Sequence, residues 1–233
     1  KGKLTRDWIV KWVRKPRSYN EWARMPAQFH QSNITTEEFK QYQEAELNAL
    51  TDYILEESEP YKANYTTALG NKDRGKELFG QVGCLACHQI NDFPRTRGRW
   101  TQAPDLSAVG SKVSKDWLMT WLKNPRHYWQ ETAMPSLRLS DGEIGDLSAY
   151  LLSKRNEEFE KLEAGTADLE TQKKVLKLYL LRDPKMAPAT EAKVDSYIAE
   201  LKPHEVVTKL GKSAMTRYGC YGCHEFKGFE KAQ

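Results

Sequence analysis

Cys84-Leu85-Ala86-Cys87-His88 decides how the rest of this 233-residue chain is read. Two cysteines bracket two residues and a histidine follows at once, which is the spacing of covalent haem attachment. The chemistry requires that spacing. Two thiols add to the two vinyl groups on one porphyrin edge, so they stand about one helical turn apart. The next residue is then set under the iron, where an imidazole binds axially. The pattern recurs at Cys220-Tyr221-Gly222-Cys223-His224, and the two copies use all four cysteines. A zinc ribbon pairs CxxC knuckles about 15–20 residues apart, whereas 132 residues separate Cys87 from Cys220. A redox CxxC beside a βαβ pattern, or two disulfides, would leave both histidines unexplained. The expectation is two covalently attached haems.

Working outward from the motifs, an internal repeat appears. Residues 7–25, DWIVKWVRKPRSYNEWARM, align without a gap to residues 116–134, DWLMTWLKNPRHYWQETAM, at an offset of 109. Trp8, Trp12, Pro16, Arg17, Tyr19 and Met25 correspond to Trp117, Trp121, Pro125, Arg126, Tyr128 and Met134. A second match, at offset 97, relates Glu46 and Tyr53 to Glu143 and Tyr150, so the first copy carries 12 extra residues after its Met-Pro. A third relates Gly75-Lys76 to Gly211-Lys212, each nine residues before a first cysteine. Each unit therefore runs in one order: a Gly-Lys helix, CxxCH, a loop, a Trp-rich helix stopped by proline, Met-Pro, and a last amphipathic helix.

The whole unit is present only in 70–157. Residues 1–62 hold its second half, with Met-Pro and no CxxCH; 206–233 hold its first half, with CxxCH and no Met-Pro; 158–205 read as a charged helical linker. Local signals place the helices. Ser114 is expected to cap a helix stopped by Pro125. Ser140 with Glu143, and Thr35 with Glu38, are expected capping boxes. Two helices interrupted by Gly165 are expected in 156–181, and one more from Thr190 to Leu201. No sustained alternation marks a strand, so the fold class is all-α: haem-binding helical domains joined by a charged helical linker.

Composition adds bounds. The formal net charge is +4 and the pI about 8.7; haem propionates lower this, so it gives no argument for nucleic acid and at most favours an acidic redox partner. No apolar run reaches the ~18–20 residues of a membrane span. The opening Lys1-Gly2-Lys3-Leu4 has no apolar leader segment, so the chain is expected to be a mature form or an excerpt.

These residues resemble the class I c-type cytochromes in a multidomain form, fully over 70–157 and in halves over 1–57 and 206–233. The resemblance implies that His88 and His224 are proximal ligands and that Met134, 46 residues after His88, is the distal one. Met25 takes the same place in the first half-unit. It implies that the Pro104 carbonyl accepts from the proximal imidazole, fixing the ring, and that Trp117 and Arg126 line the haem pocket. Met119 and Met215 read as core; Met186 lacks repeat support; His30 is an alternative to Met25; His127 and His204 read as solvated. The tryptophans at 8, 12, 117 and 121 read as packing around the haem edge.

The function implied is electron transfer by haem c, on the extracytoplasmic side of a bacterial membrane. Implied partners are other cytochromes or subunits of a membrane-bound respiratory complex. His/Met ligation implies relatively positive potentials. The alternatives are a dihaem peroxidase, which needs an open distal site with an acid/base group, and a structural filament subunit. The half-units leave three arrangements open. In the first-ranked one, the chain is an excerpt whose missing halves lie in flanking sequence, with a third haem served by Met25 from such a segment. In the others, the two ends close on each other around the central domain, or the halves pair between molecules.

Overall fold

The computed structural model describes residues 2–31, 36–94, 103–183, 190–226 and 228–230. The described residues contain helices and 3-10 turns and no strand. The chain divides into two compact units: Lys1–Thr5 with Pro60–Lys161, and Arg6–Glu59 with Leu162–Gln233.

The first unit is built on α4 (Lys72–Gln81), α5 (Lys115–Lys123), α6 (Pro125–Tyr128), α7 (Asp141–Leu152) and α8 (Glu157–Lys161). Its helix ends follow local chemistry. Asn71 caps α4 by accepting from the amides of Asp73 and Arg74, and the buried Asp146 carboxylate accepts from Asn71 N (2.6 Å) and pairs with Arg74 (2.5 Å). That negative charge at a helix N-terminus complements the dipole. Ser114 Oγ accepts from Trp117 N at the start of α5, and Pro125 opens α6 at a position where its missing N–H is harmless. At α7 the capping box is complete: Glu143 N donates to Ser140 Oγ, and Ser140 N donates to Glu143 Oε2. Phe79, Ile90, Trp117, Met119, Ile144, Leu147 and Tyr150 form the core between α4, α5 and α7.

Helices α4 and α7 touch at a glycine. A Cβ placed on Gly75 would meet the backbone carbonyl of Asp146 and come within 2.9 Å of Tyr150 Cβ, so the two backbones approach closely only because the side chain is absent.

The second unit comprises α1 (Arg6–Arg14), α2 (Pro16–Tyr19), α3 (Glu37–Glu57), α9 (Leu169–Leu180), α10 (Glu191–Glu200) and α11 (Pro203–Tyr218). Helices α3 and α11 repeat the glycine contact: a Cβ on Gly211 would meet the Ala49 carbonyl and lie 2.6 Å from Tyr53 Cβ. Most of the first half-unit, Arg6–Glu59, thus lies in one compact unit with the second. Helix α3 opens at Glu37 with Thr36 as the flanking residue and no side-chain cap bond; Thr35 and the side chain of Glu38 lie outside the described residues.

Residues 158–205, read as a linker, do more than connect. Val175, Leu176, Val194 and Ile198 of α9 and α10 are buried with Ala45, Ala49, Val206 and Leu210 in the second unit's core. Thr190 caps α10 and Asp168 caps α9, while α8 belongs to the first unit. Met119 and Met215 are fully buried. His127 and His204 are exposed, and His127 contacts Asn64 and the Tyr61 ring. Met186 lies outside the described residues.

Candidate haem sites

In the first unit α4 ends and Gly83, in the left-handed conformation at φ 89°, turns the chain into a 3-10 turn over Cys84–Ala86. Cys87 N (3.2 Å) and His88 N (2.8 Å) both donate to the Cys84 carbonyl. The single turn sets the two thiols and the imidazole at successive positions around one end of α4. Burial pushes the Cys84 thiol up to about 11, so it stays protonated at neutral pH; all four cysteines are free of disulfides.

His88 Nδ1 lies 2.8 Å from the Pro104 carbonyl oxygen. A carbonyl only accepts, so Nδ1 carries the proton and the Nε2 lone pair is left for a ligand role. Leu106 N donates to the Gln89 carbonyl (2.8 Å), tying the Pro104 loop to the residue after the histidine. Burial lowers the His88 pKa, against the opposing pull of the Pro104 carbonyl and Asp105. The neutral imidazole is the form that binds a metal.

Met134 is half-buried and packs against the core of the same unit. Trp121 Nε1 donates to its sulfur at 2.8 Å, and the Met134 amide donates to Thr132 Oγ1 (3.3 Å). Trp121 stacks on Trp117 at 5.2 Å and 16°; Tyr128 meets both rings edge-on at 5.4 and 6.1 Å. The Trp121 bond escaped the sequence reading, because Trp117 and Trp121 at i, i+4 look like core packing. Arg126 is exposed on α6.

The second unit repeats these parts. Gly219 at φ 64° ends α11 and leads into the 3-10 turn Cys220–Gly222, with His224 N donating to the Cys220 carbonyl at 3.0 Å. Trp8 stacks on Trp12 at 5.3 Å and 12°, and Tyr19 meets them edge-on at 5.3 and 5.9 Å. Met25 is half-buried. Four residues on, Phe29 packs on Tyr218 with centroids 4.6 Å apart, joining the Met25 loop to the end of α11, two residues before Cys220. His30 sits on Glu44, Nε2 to Oε1 at 2.7 Å, and its backbone N donates to Gln43 Oε1. The same Glu44 carboxylate holds Arg14.

The residues fit a haem. The Trp117 indole Nε1–H is buried with no partner among the described residues, and a donor buried without an acceptor costs free energy; a propionate is the kind of group that satisfies it. Among the described residues no three His, Cys, Asp or Glu side chains gather as a metal-binding group. No helix of the described residues is long and apolar enough to cross a membrane.

An all-helical fold with a CxxCH turn, an oriented histidine and a Met-Pro loop packed on the same core has the parts of the c-type haem class. Residues 72–155 match the family model for Cytochrome c, and the chain contains a cytochrome c domain. No curated protein matches the chain, and no solved structure does. The family match supports a c-type cytochrome and an electron carrier.

Proposed function

We propose that the chain is a dihaem c-type cytochrome that passes electrons between redox partners. Cys84 and Cys87 attach one haem, with His88 and Met134 as its axial residues. Cys220 and Cys223 attach the other, with His224 and Met25. When bound, haem supplies reversible one-electron iron chemistry; the chain positions it, shields it from water and sets its potential. Met25 then serves the haem on Cys220 and Cys223, without a third haem. The observation that carries the reading is the repeated set of parts: CxxCH turn, glycine helix contact and aromatic trio occur in both compact units. Methionine on one side and an oriented histidine on the other favour low-spin, relatively positive haems. Haem attachment of this type supports an extracytoplasmic location, and the net charge of +4 favours an acidic partner, such as another cytochrome or a subunit of a membrane-bound respiratory complex.

Intact-mass measurement with spectroelectrochemical titration tests this. The expected result is a mass excess of two haems and two low-spin His/Met transitions. A different haem count, or high-spin haem with peroxide turnover, overturns it, the latter in favour of a haem peroxidase.

A further inference from the structure

Residues 2–5 belong to the first compact unit, although the family match begins only at residue 72. The Gly2 carbonyl accepts from Ser114 Oγ at 2.8 Å, at the N-cap of α5. That anchor sets Lys3 over two aromatic rings, its Nζ 4.4 Å from the Trp117 centroid and 5.4 Å from that of Tyr128. Cation–π contact favours the ammonium there, yet the surroundings oppose it. Burial, and then the nearby Lys112 charge, hold the Lys3 pKa down to about 8. Burial also lowers that of Lys112. Beside these cations stands the Trp117 Nε1–H, on a residue only 5% exposed, with no acceptor among the described residues. An indole is a few ångströms across, so the ammonium over its face and the N–H at its edge both reach one acceptor. The ammonium and the indole N–H are both donors, and a carboxylate is an acceptor that can serve the two together.

We infer that Lys3 and Trp117 together bind a propionate of the haem attached at Cys84 and Cys87, so that a segment far upstream in sequence completes the pocket of the cytochrome c domain. The inference rests on the assignment of that haem. Lys3 acts as a positioning and charge-compensating residue: it neutralises a carboxylate that would otherwise lie against apolar rings. Its positive charge also disfavours the oxidised, more positive haem.

The test uses the holoprotein with Lys3→Gln, Lys3→Arg and Trp117→Phe, reading both haem potentials and the propionate bending modes in resonance Raman spectra. Lys3→Gln should raise the ratio of oxidised to reduced central haem at a fixed potential roughly threefold, a fall of about 30 mV for one electron. It should shift one propionate mode and leave the second haem untouched. Lys3→Arg should restore both readouts. Trp117→Phe, which keeps an aromatic ring but removes the N–H, should shift the same mode. If Lys3→Gln leaves the potential and the mode at their unsubstituted values, the inference is overturned. Absence of a haem on Cys84 and Cys87 in the unsubstituted protein would instead overturn the assignment beneath it.

Discussion

Gly211 faces Tyr53 so closely that a Cβ on the glycine would lie 2.6 Å from that of the tyrosine, matching the 2.9 Å between Gly75 and Tyr150. The glycines are aligned by an offset of 136 and the tyrosines by one of 97 in the opposite direction, yet the same contact forms in both compact units. A shared backbone approach at a glycine, with an aromatic ring beside it, locks each pair of long helices.

Gly211→Ala should therefore loosen the α3–α11 pair and Gly75→Ala the α4–α7 pair, each by about 1–3 kcal/mol, the usual cost of overpacking. Urea unfolding of the holoprotein, followed at haem-specific wavelengths, measures this. Equal effects on both units from one substitution would contradict it.

Met134→Ala should abolish the weak long-wavelength iron–sulfur band of one haem and lower only its potential, since a thioether favours the reduced state. Met119→Ala removes a fully buried side chain and should cost about 2–5 kcal/mol of stability while leaving that band in place. Swapped outcomes would make Met134 the packing residue.

Met25→Ala should turn the haem on Cys220 and Cys223 high-spin or weakly ligated, with the central haem unaffected. Magnetic circular dichroism reads the spin state directly. Two intact His/Met haems in this variant would dissolve the pairing of Met25 with His224.

Much of this was legible in the sequence, and the remainder was hidden for physical reasons. Ser140 and Glu143 announced the start of α7, because a cap is a local bond between residues three apart. The repeat related Trp8 to Trp117, but a repeat reports likeness and not contact, so it left the partner of the 206–233 segment open. Helices α9 and α10 read as linker because charged residues outnumber the buried stripe of Val175, Leu176, Val194 and Ile198. Glu44 stands beside the His30 ring, fourteen positions on, a neighbour that local spacing does not announce. Lys3 gave no signal, since a short segment without periodicity says nothing of what it covers.

Asp92, just after the first haem motif, pairs with Lys154 beyond α7 at 2.5 Å. The Lys154 hydrogen bond and charge hold its carboxyl below the ordinary range, against burial. A depressed carboxylate contributes stability above its unfolded pKa and loses it as pH falls through the folded value. Asp92→Asn should thus destabilise the first unit by at most about 1 kcal/mol at pH 7, the pair being partly solvent-screened. The difference should vanish in strong acid. Thermal unfolding at several pH values checks the sign; a gap that widens on acidification would refute it.

The glycine contacts also bear on how the molecule folds. Gly75 and Tyr150 are 75 positions apart in the chain, Gly211 and Tyr53 158 apart. Doubling a loop adds only about 0.6 kcal/mol of closure entropy, so the wider separation is thermodynamically mild. Its effect on rate is larger, because distant pairings slow the search. During synthesis the α4–α7 pair is complete while α11 is still unmade, leaving α3 with its glycine-shaped notch unfilled. The first unit should consequently mature early, and the second should depend for its timing on the last helix to emerge.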